Sequence, residues 1–314
     1  MNRWFKVLAA LGLVASLAAC GGSDDDPPGN IVQVAQANKL TALEAAVTKA
    51  GLATALTDPT ASLTVFAPTD AAFAALATQL GFPSAGALVE ALPANTLASI
   101  LTYHVLPTRK SAADLVAGGA TQPTLYAFEG TSTRLTLSTT AGVKITDAAL
   151  TTANVVTADV PASNGIVHVI DKVLVPPGVL NIVQMAQVNP VFSTLVGAVV
   201  TANLQGTLSG AGPFTVFAPT NDAFAAIQTT VAGLSTAQLT QVLTYHVLPA
   251  QVLAAAIPFG TPVATVEGQT ITINPGTPPT ISDKTATPAP IVATDVRASN
   301  GVIHVIGKVL IPTL

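Results

Sequence analysis

The sequence predicts an α+β fold built twice, as two domains in tandem. Two observations carry this reading. The stretch Thr64–Phe73 (TVFAPTDAAF) returns as Thr215–Phe224 (TVFAPTNDAF), and near-identity over ten residues marks an internal repeat. Within each copy, helical patterning comes first and strand patterning follows, the segregation expected of an α+β unit. With 314 residues, half of them hydrophobic, the chain has enough apolar material for two cores.

Taken in order, the chain opens with a leader at 1–19. Arg3 and Lys6 form a positive start, and Val7 to Ala19 is an apolar run too short to span a bilayer comfortably. It ends in Leu17-Ala18-Ala19-Cys20, which looks like a bacterial lipobox, so Cys20 is the expected lipidation site. Cys20 is the one cysteine of the chain, so no internal disulfide forms in an exported protein. Gly21 rather than Asp follows it, which by resemblance to bacterial lipoproteins favours the outer membrane. Residues 20–29 read as the lipidated Cys and a flexible tether, because GGSDDDPPGN at 21–30 offers nothing to a core. Asp24, Asp25 and Asp26 beside Pro-Pro read as a solvated spacer rather than a calcium site.

The first domain is expected at 30–177 and the second at 178–314. Asn30-Ile31-Val32-Gln33 recurs as Asn181-Ile182-Val183-Gln184, an offset of 151 that holds at the Thr-Val-Phe stretch. It falls to 142 at Leu101–Pro107 against Leu243–Pro249, and to 136 at Ser163–Ile170 against Ser299–Ile306. Leu40, Leu43, Glu44 and Val47 fit a helix. Thr64-Val65-Phe66-Ala67 reads as a buried strand that Pro68 stops, having no N–H for a ladder. Thr69 and Asp70 suit a helix start, with Phe73, Leu76, Ala77 and Leu80 at helical spacing behind them. Asp222 is read the same way in the second copy. Thr96 to His104 predicts a further helix. Strands are predicted at Thr124–Phe128, Arg134–Ser138, Val143–Ile145, Asn154–Thr157 and Gly165–Val175, with turns at Glu129-Gly130 and Ala141-Gly142. The last strand is apolar on both faces and is expected to be central.

Three motifs recur in both copies: Thr-Val-Phe-Ala-Pro-Thr with a following Ala-Phe, Tyr-His before Val-Leu-Pro, and Asn-Gly before His-Val-Ile. In this order they resemble a tandem pair of fasciclin domains over nearly all of 30–314. The resemblance implies, for each domain, a wedge of about seven strands with packed helices. It implies adhesion or matrix association, with cell-surface or matrix proteins or glycans as partners, and no shared catalytic activity. It also places the Tyr-His segments, Tyr103-His104 and Tyr245-His246, at or near a partner surface. Arg-Gly-Asp does not occur in the chain, which excludes an integrin contact through that motif.

The residues themselves give a competing reading of the histidines. His104 follows Leu97, Ile100 and Leu101, and His246 follows Leu239, Val242 and Leu243, so each falls on the apolar stripe of its helix. Such a ring is expected in the core with its nitrogens hydrogen-bonded. His168 and His304 lie among aliphatics in strands. No zinc-ligand spacing, His-Glu-x-x-His, Gly-x-Ser-x-Gly or phosphate loop occurs, so no catalytic residue, metal or cofactor is expected. Charged residues are 9% against about 25% in ordinary domains. The net charge is −4, or −6 once Arg3 and Lys6 leave, with no basic cluster, so nucleic acid is not an expected partner. The expectation is an exported, lipid-anchored, non-enzymatic adhesion module of the cell envelope. The alternative is a module that binds polysaccharide or a small ligand in a pocket with convergent polar groups.

Overall fold

The computed structural model describes residues 27–138 and 142–314. The leader, Cys20, most of the tether and Ala141 of one expected turn lie outside them. Each copy folds into a seven-stranded sheet with helices packed on it. The first sheet holds β1 (Leu63–Pro68), β2 (Val105–Leu106), β3 (Thr121–Phe128), β4 (Thr131–Ser138), β5 (Lys144–Thr146), β6 (Thr152–Ala162) and β7 (Gly165–Ile170) in the order β2-β1-β7-β6-β5-β4-β3. The second holds β8 (Phe214–Pro219), β9 (Val247–Leu248), β10 (Pro262–Ala264), β11 (Thr270–Asn274), β12 (Thr280–Ser282), β13 (Ala289–Ala298) and β14 (Gly301–Ile306) in the matching order β9-β8-β14-β13-β12-β11-β10. Only the pairs β1–β7 and β8–β14 are parallel. Each sheet curls toward closure: in the first, β2 lies beside β3, and in the second the Val266 N–H, just past β10, reaches the Val247 carbonyl in β9 at 2.8 Å.

The repeated Thr-Val-Phe motif is the central strand with its helix start, as its residue types require. β1 is buried along nearly its whole length. Pro68 ends it, and the Thr69 hydroxyl accepts the Ala72 N–H at 3.1 Å to open the helix Asp70–Gln79. Asp70 does more than start that helix. Its carboxylate accepts the Ala42 N–H at 2.9 Å and the Thr41 hydroxyl, capping a different helix, Thr41–Lys49, whose own cap residue Leu40 has no oxygen to offer. Asn221 does the same for Thr194 at 3.0 Å.

β7 is central, as its apolar faces predict, but it ends at Ile170 rather than Val175. Past Asp171 the chain leaves the ladder while Val173, Leu174 and Val175 stay buried. Side chains replace the sheet there: His104 Nε2 accepts the Leu174 N–H at 2.8 Å and Asp147 accepts the Val175 N–H at 2.9 Å. The two faces of β7 serve different cores. Val167 and Val169 meet the helices, whereas Ile170 joins Phe66, Leu135 and Ile145 inside the curled sheet.

The domains are docked directly. Helix-side apolar residues of the first domain, Leu76, Leu80 and Ile100, meet Val179 and Leu180 at the crossing. The Gly178 N–H donates to the Arg297 carbonyl at 3.0 Å. A Cβ on Gly178, at φ +75°, would stand 2.0 Å from the Phe128 ring. The Arg297 guanidinium lies 5.1 Å from the centre of that ring and pairs with Glu129 at 2.6 Å.

Candidate functional site

The Tyr-His segments end the helices Ala94–Tyr103 and Thr236–Tyr245, each with its histidine as the C-terminal cap. Their side chains are not on the surface. Tyr103 is 1%, His104 2%, Tyr245 0% and His246 2% exposed, so the four side chains themselves lie in the core of segments expected at or near a partner surface. The physical reason is the apolar stripe: the ring that completes it is drawn inward with the leucines. The Leu174 N–H donates to His104 Nε2, so Nδ1 carries the proton and donates to the Ile100 carbonyl at 2.7 Å. In the second domain the Leu310 N–H donates to His246 Nε2 at 2.8 Å, and Nδ1 donates to Val242 at 2.7 Å. Each ring is therefore a neutral bridge between a helix end and the segment after the central strand. Burial pushes both down to about 4, against the bond to Ile100 or Val242.

His168 and His304 are bridges of the other tautomer. A bulge in β6 puts Asp159 at φ +58° and points its N–H at His168 Nδ1, 3.2 Å away. Nε2 then donates to the Lys110 carbonyl at 3.0 Å. His304 repeats this with Asp295 at 3.3 Å and Val252 at 2.8 Å. Each stacks on a phenylalanine, Phe66 or Phe217, at 5.7 Å. All eight imidazole nitrogens are thus engaged with backbone, which leaves no ring free to act as a base or a ligand. Among the described residues no group of three or more His, Cys, Asp or Glu is arranged to hold a metal ion.

Asp147 and Asp283 are a further repeated device that residue types alone did not single out. Asp147 accepts four hydrogen bonds, from the Ala149, Thr151 and Val175 N–H groups and the Thr151 hydroxyl. Burial still pushes it up to about 6. Asp283 is also pushed up by burial, but its bonds from Thr285, Ile311 and Lys308 prevail and hold it below the usual carboxylate value.

Each domain also holds an apolar cavity between its first helices and its central strands. In the first, Ile31, Ala35, Leu43 and Leu101 line a partly open space of about 140 Å³. In the second, Ile182, Ala186, Leu195 and Leu243 take the same places around about 40 Å³. The polar side chains at the first are few and include Gln36, Glu44 and Thr48. This is not the convergent polar lining a sugar requires.

The fasciclin domain profile matches residues 38–176 and 190–312. A protein of Synechocystis is 44% identical over 140 residues, 43% of this chain and 75% of that protein. Transforming growth factor-beta-induced protein ig-h3 of Sus scrofa is 31% identical over 259 residues, 80% of this chain but only 35% of that longer protein. Periostin of Homo sapiens is 33% identical over 156 residues, 48% of this chain and 18% of its own length. Among solved structures, a domain pair from the insect cell adhesion molecule fasciclin I aligns over 90% of this chain and 95% of that one, at 18% identity and a TM-score of 0.42.

Proposed function

The chain belongs to the fasciclin domain family, and from that premise we propose that it is an adhesion protein of the cell envelope. It is held by a lipid on Cys20 and binds cell-surface or matrix partners without catalysing a reaction. The observation that carries this reading is the use the fold makes of its repeated polar residues. The histidines, Asp147 and Asp283 are all committed to backbone groups inside the domains, twice over. What each motif supplies is architecture, and the outer surface is left to binding. Two docked domains on one tether present two fixed surfaces, and simultaneous engagement raises avidity through effective concentration.

With charged residues at 9% of the chain, attachment depends little on long-range electrostatics. Beads coated with the chain from residue 30 onward are expected to attach to cells, isolated envelope, glycans or matrix proteins, and to keep most of that attachment from low to high salt. Failure on every one of these surfaces sinks the adhesion reading.

The anchor is tested separately. Cys20→Ser is expected to move the protein from the membrane fraction to the soluble or uncleaved pool. Wild-type protein that is soluble and cleaved at another position would count against lipidation while leaving adhesion intact.

A further inference from the structure

The two cavities are equivalent, and the difference between them is informative. Between the first helix and the central strand the two copies run at an offset of 152, not 151. Ala42 and Thr194 are the helix-start N–H groups held by Asp70 and Asn221. Leu52 and Leu204 likewise donate to the carbonyls of Val47 and Val199 at 3.1 and 3.0 Å. Glu44 therefore corresponds to Val196, and both line their cavity.

A valine at the cavity mouth can occupy it at no cost. A carboxylate cannot move into apolar space without losing its water, so Glu44 is a rim residue. Neither an ion pair nor a side-chain hydrogen bond joins it to any of the described residues. The first domain thus has a partly open apolar cavity of about 140 Å³ with an unpaired carboxylate among its lining residues. Apolar cavities of about 150 Å³ stay dry and accept benzene, whereas the second cavity, at about 40 Å³, is too small for such a guest.

We propose that the first domain binds a small primary amine with an apolar body of about benzene size, its body in the cavity and its ammonium against Glu44. The chemistry of both ends is matched: apolar walls for the ring, one carboxylate for one cation. This site is independent of the adhesive surface and stands whether or not attachment is observed.

The test is titration of the full chain with benzylammonium and with toluene, followed through backbone amide shifts. Benzylammonium is expected to give saturable shifts at amides around Ile31, Ala35 and Leu101 and none around Ile182 and Leu243. Glu44→Gln changes a rim residue and leaves the cavity walls untouched. It should weaken benzylammonium roughly two- to fivefold, the range for a partly exposed ion pair, and leave toluene unchanged. Ala35→Leu should abolish binding of both, with second-domain amides serving as the check that the protein is folded. Three results overturn the proposal: no saturable shifts at millimolar ligand, equal effects of Glu44→Gln on both ligands, or shifts centred in the second domain.

Discussion

Replacing Asn164 with alanine is expected to remove about 4 kcal/mol from the first domain, and Asn300→Ala less from the second, where the side chain is only half-buried. Asn164 is buried in the turn between β6 and β7. Its Oδ1 accepts the Ile31 N–H at 3.0 Å, and its Nδ2 donates to the Leu56 and Asp58 carbonyls at 2.8 and 3.1 Å. One amide thereby ties the helix Ile31–Ala37 and the end of the helix Ala53–Thr57 to the central strand. Asn300 repeats the arrangement with Ile182, Leu208 and Gly210. Alanine orphans three partners at once, each costing about 1–3 kcal/mol when buried and less where water reaches it. Domains have about 5–15 kcal/mol in total, so a large share of the stability is at stake. Asn164→Asp keeps the acceptor but removes both donors and buries a charge, so it should not rescue. Denaturant unfolding read separately for each domain checks this, and a loss below about 1 kcal/mol would contradict the clamp. The neighbouring glycine follows from the same geometry: a Cβ on Gly165 would sit 2.4 Å from the Leu63 carbonyl.

The residues that could be read from sequence are those whose role is written in their local spacing. Thr69 as a helix cap, β1 and β7 as buried strands, and His104 and His246 on apolar stripes all follow from periodicity and residue type. The residues that could not be read act across long separations. Asp70 caps a helix 28 residues earlier, and Asn164 reaches back 133 residues to Ile31. Asp147 takes over the N–H of Val175, which is why an apolar run that reads as one long strand ends at Ile170. The Tyr-His segments carry two arguments: the family resemblance puts them at or near a partner surface, the apolar stripe puts their histidines in the core, and the burial of both imidazoles follows the stripe. The cavities were out of reach for a further reason. Packing of side chains from four separate segments decides a volume, and a compensated shift from 151 to 152 hides which residues correspond.

Acidification from neutral pH to pH 4.5 is expected to destabilise the second domain far more than the first. His104 and His246 have folded values lowered to about 4 by burial, against about 6.5 in the unfolded chain. Between those values the unfolded state binds more protons, so stability is complete above pH 6.5 and falls as pH drops toward 4. Protonation would place an N–H on Nε2 facing the Leu174 or Leu310 N–H, with no acceptor between them. Each histidine accounts for a loss of about 2–3 kcal/mol at pH 4.5. In the first domain Asp147 opposes this. Its folded value is raised to about 6 from about 3.9 unfolded, so the folded state binds the extra proton and gains about 2 kcal/mol by pH 4.5. The second domain has no such compensation. Asp283 is held below the usual value, so its contribution is present above the unfolded value and is itself lost in stronger acid. The first domain should therefore change by less than about 1 kcal/mol and the second by more than about 2 kcal/mol. Amide exchange at pH 7.5 and 4.5, corrected for intrinsic rates, would resolve the domains through the β7 and β14 amides. His246→Gln lowers the stability of the second domain at every pH, but it should reduce that domain's response between pH 6.5 and 4, leaving the part due to His304, which burial also holds below its usual value. Parallel losses in both domains, or an unchanged slope in His246→Gln, would show that other groups govern the acid response.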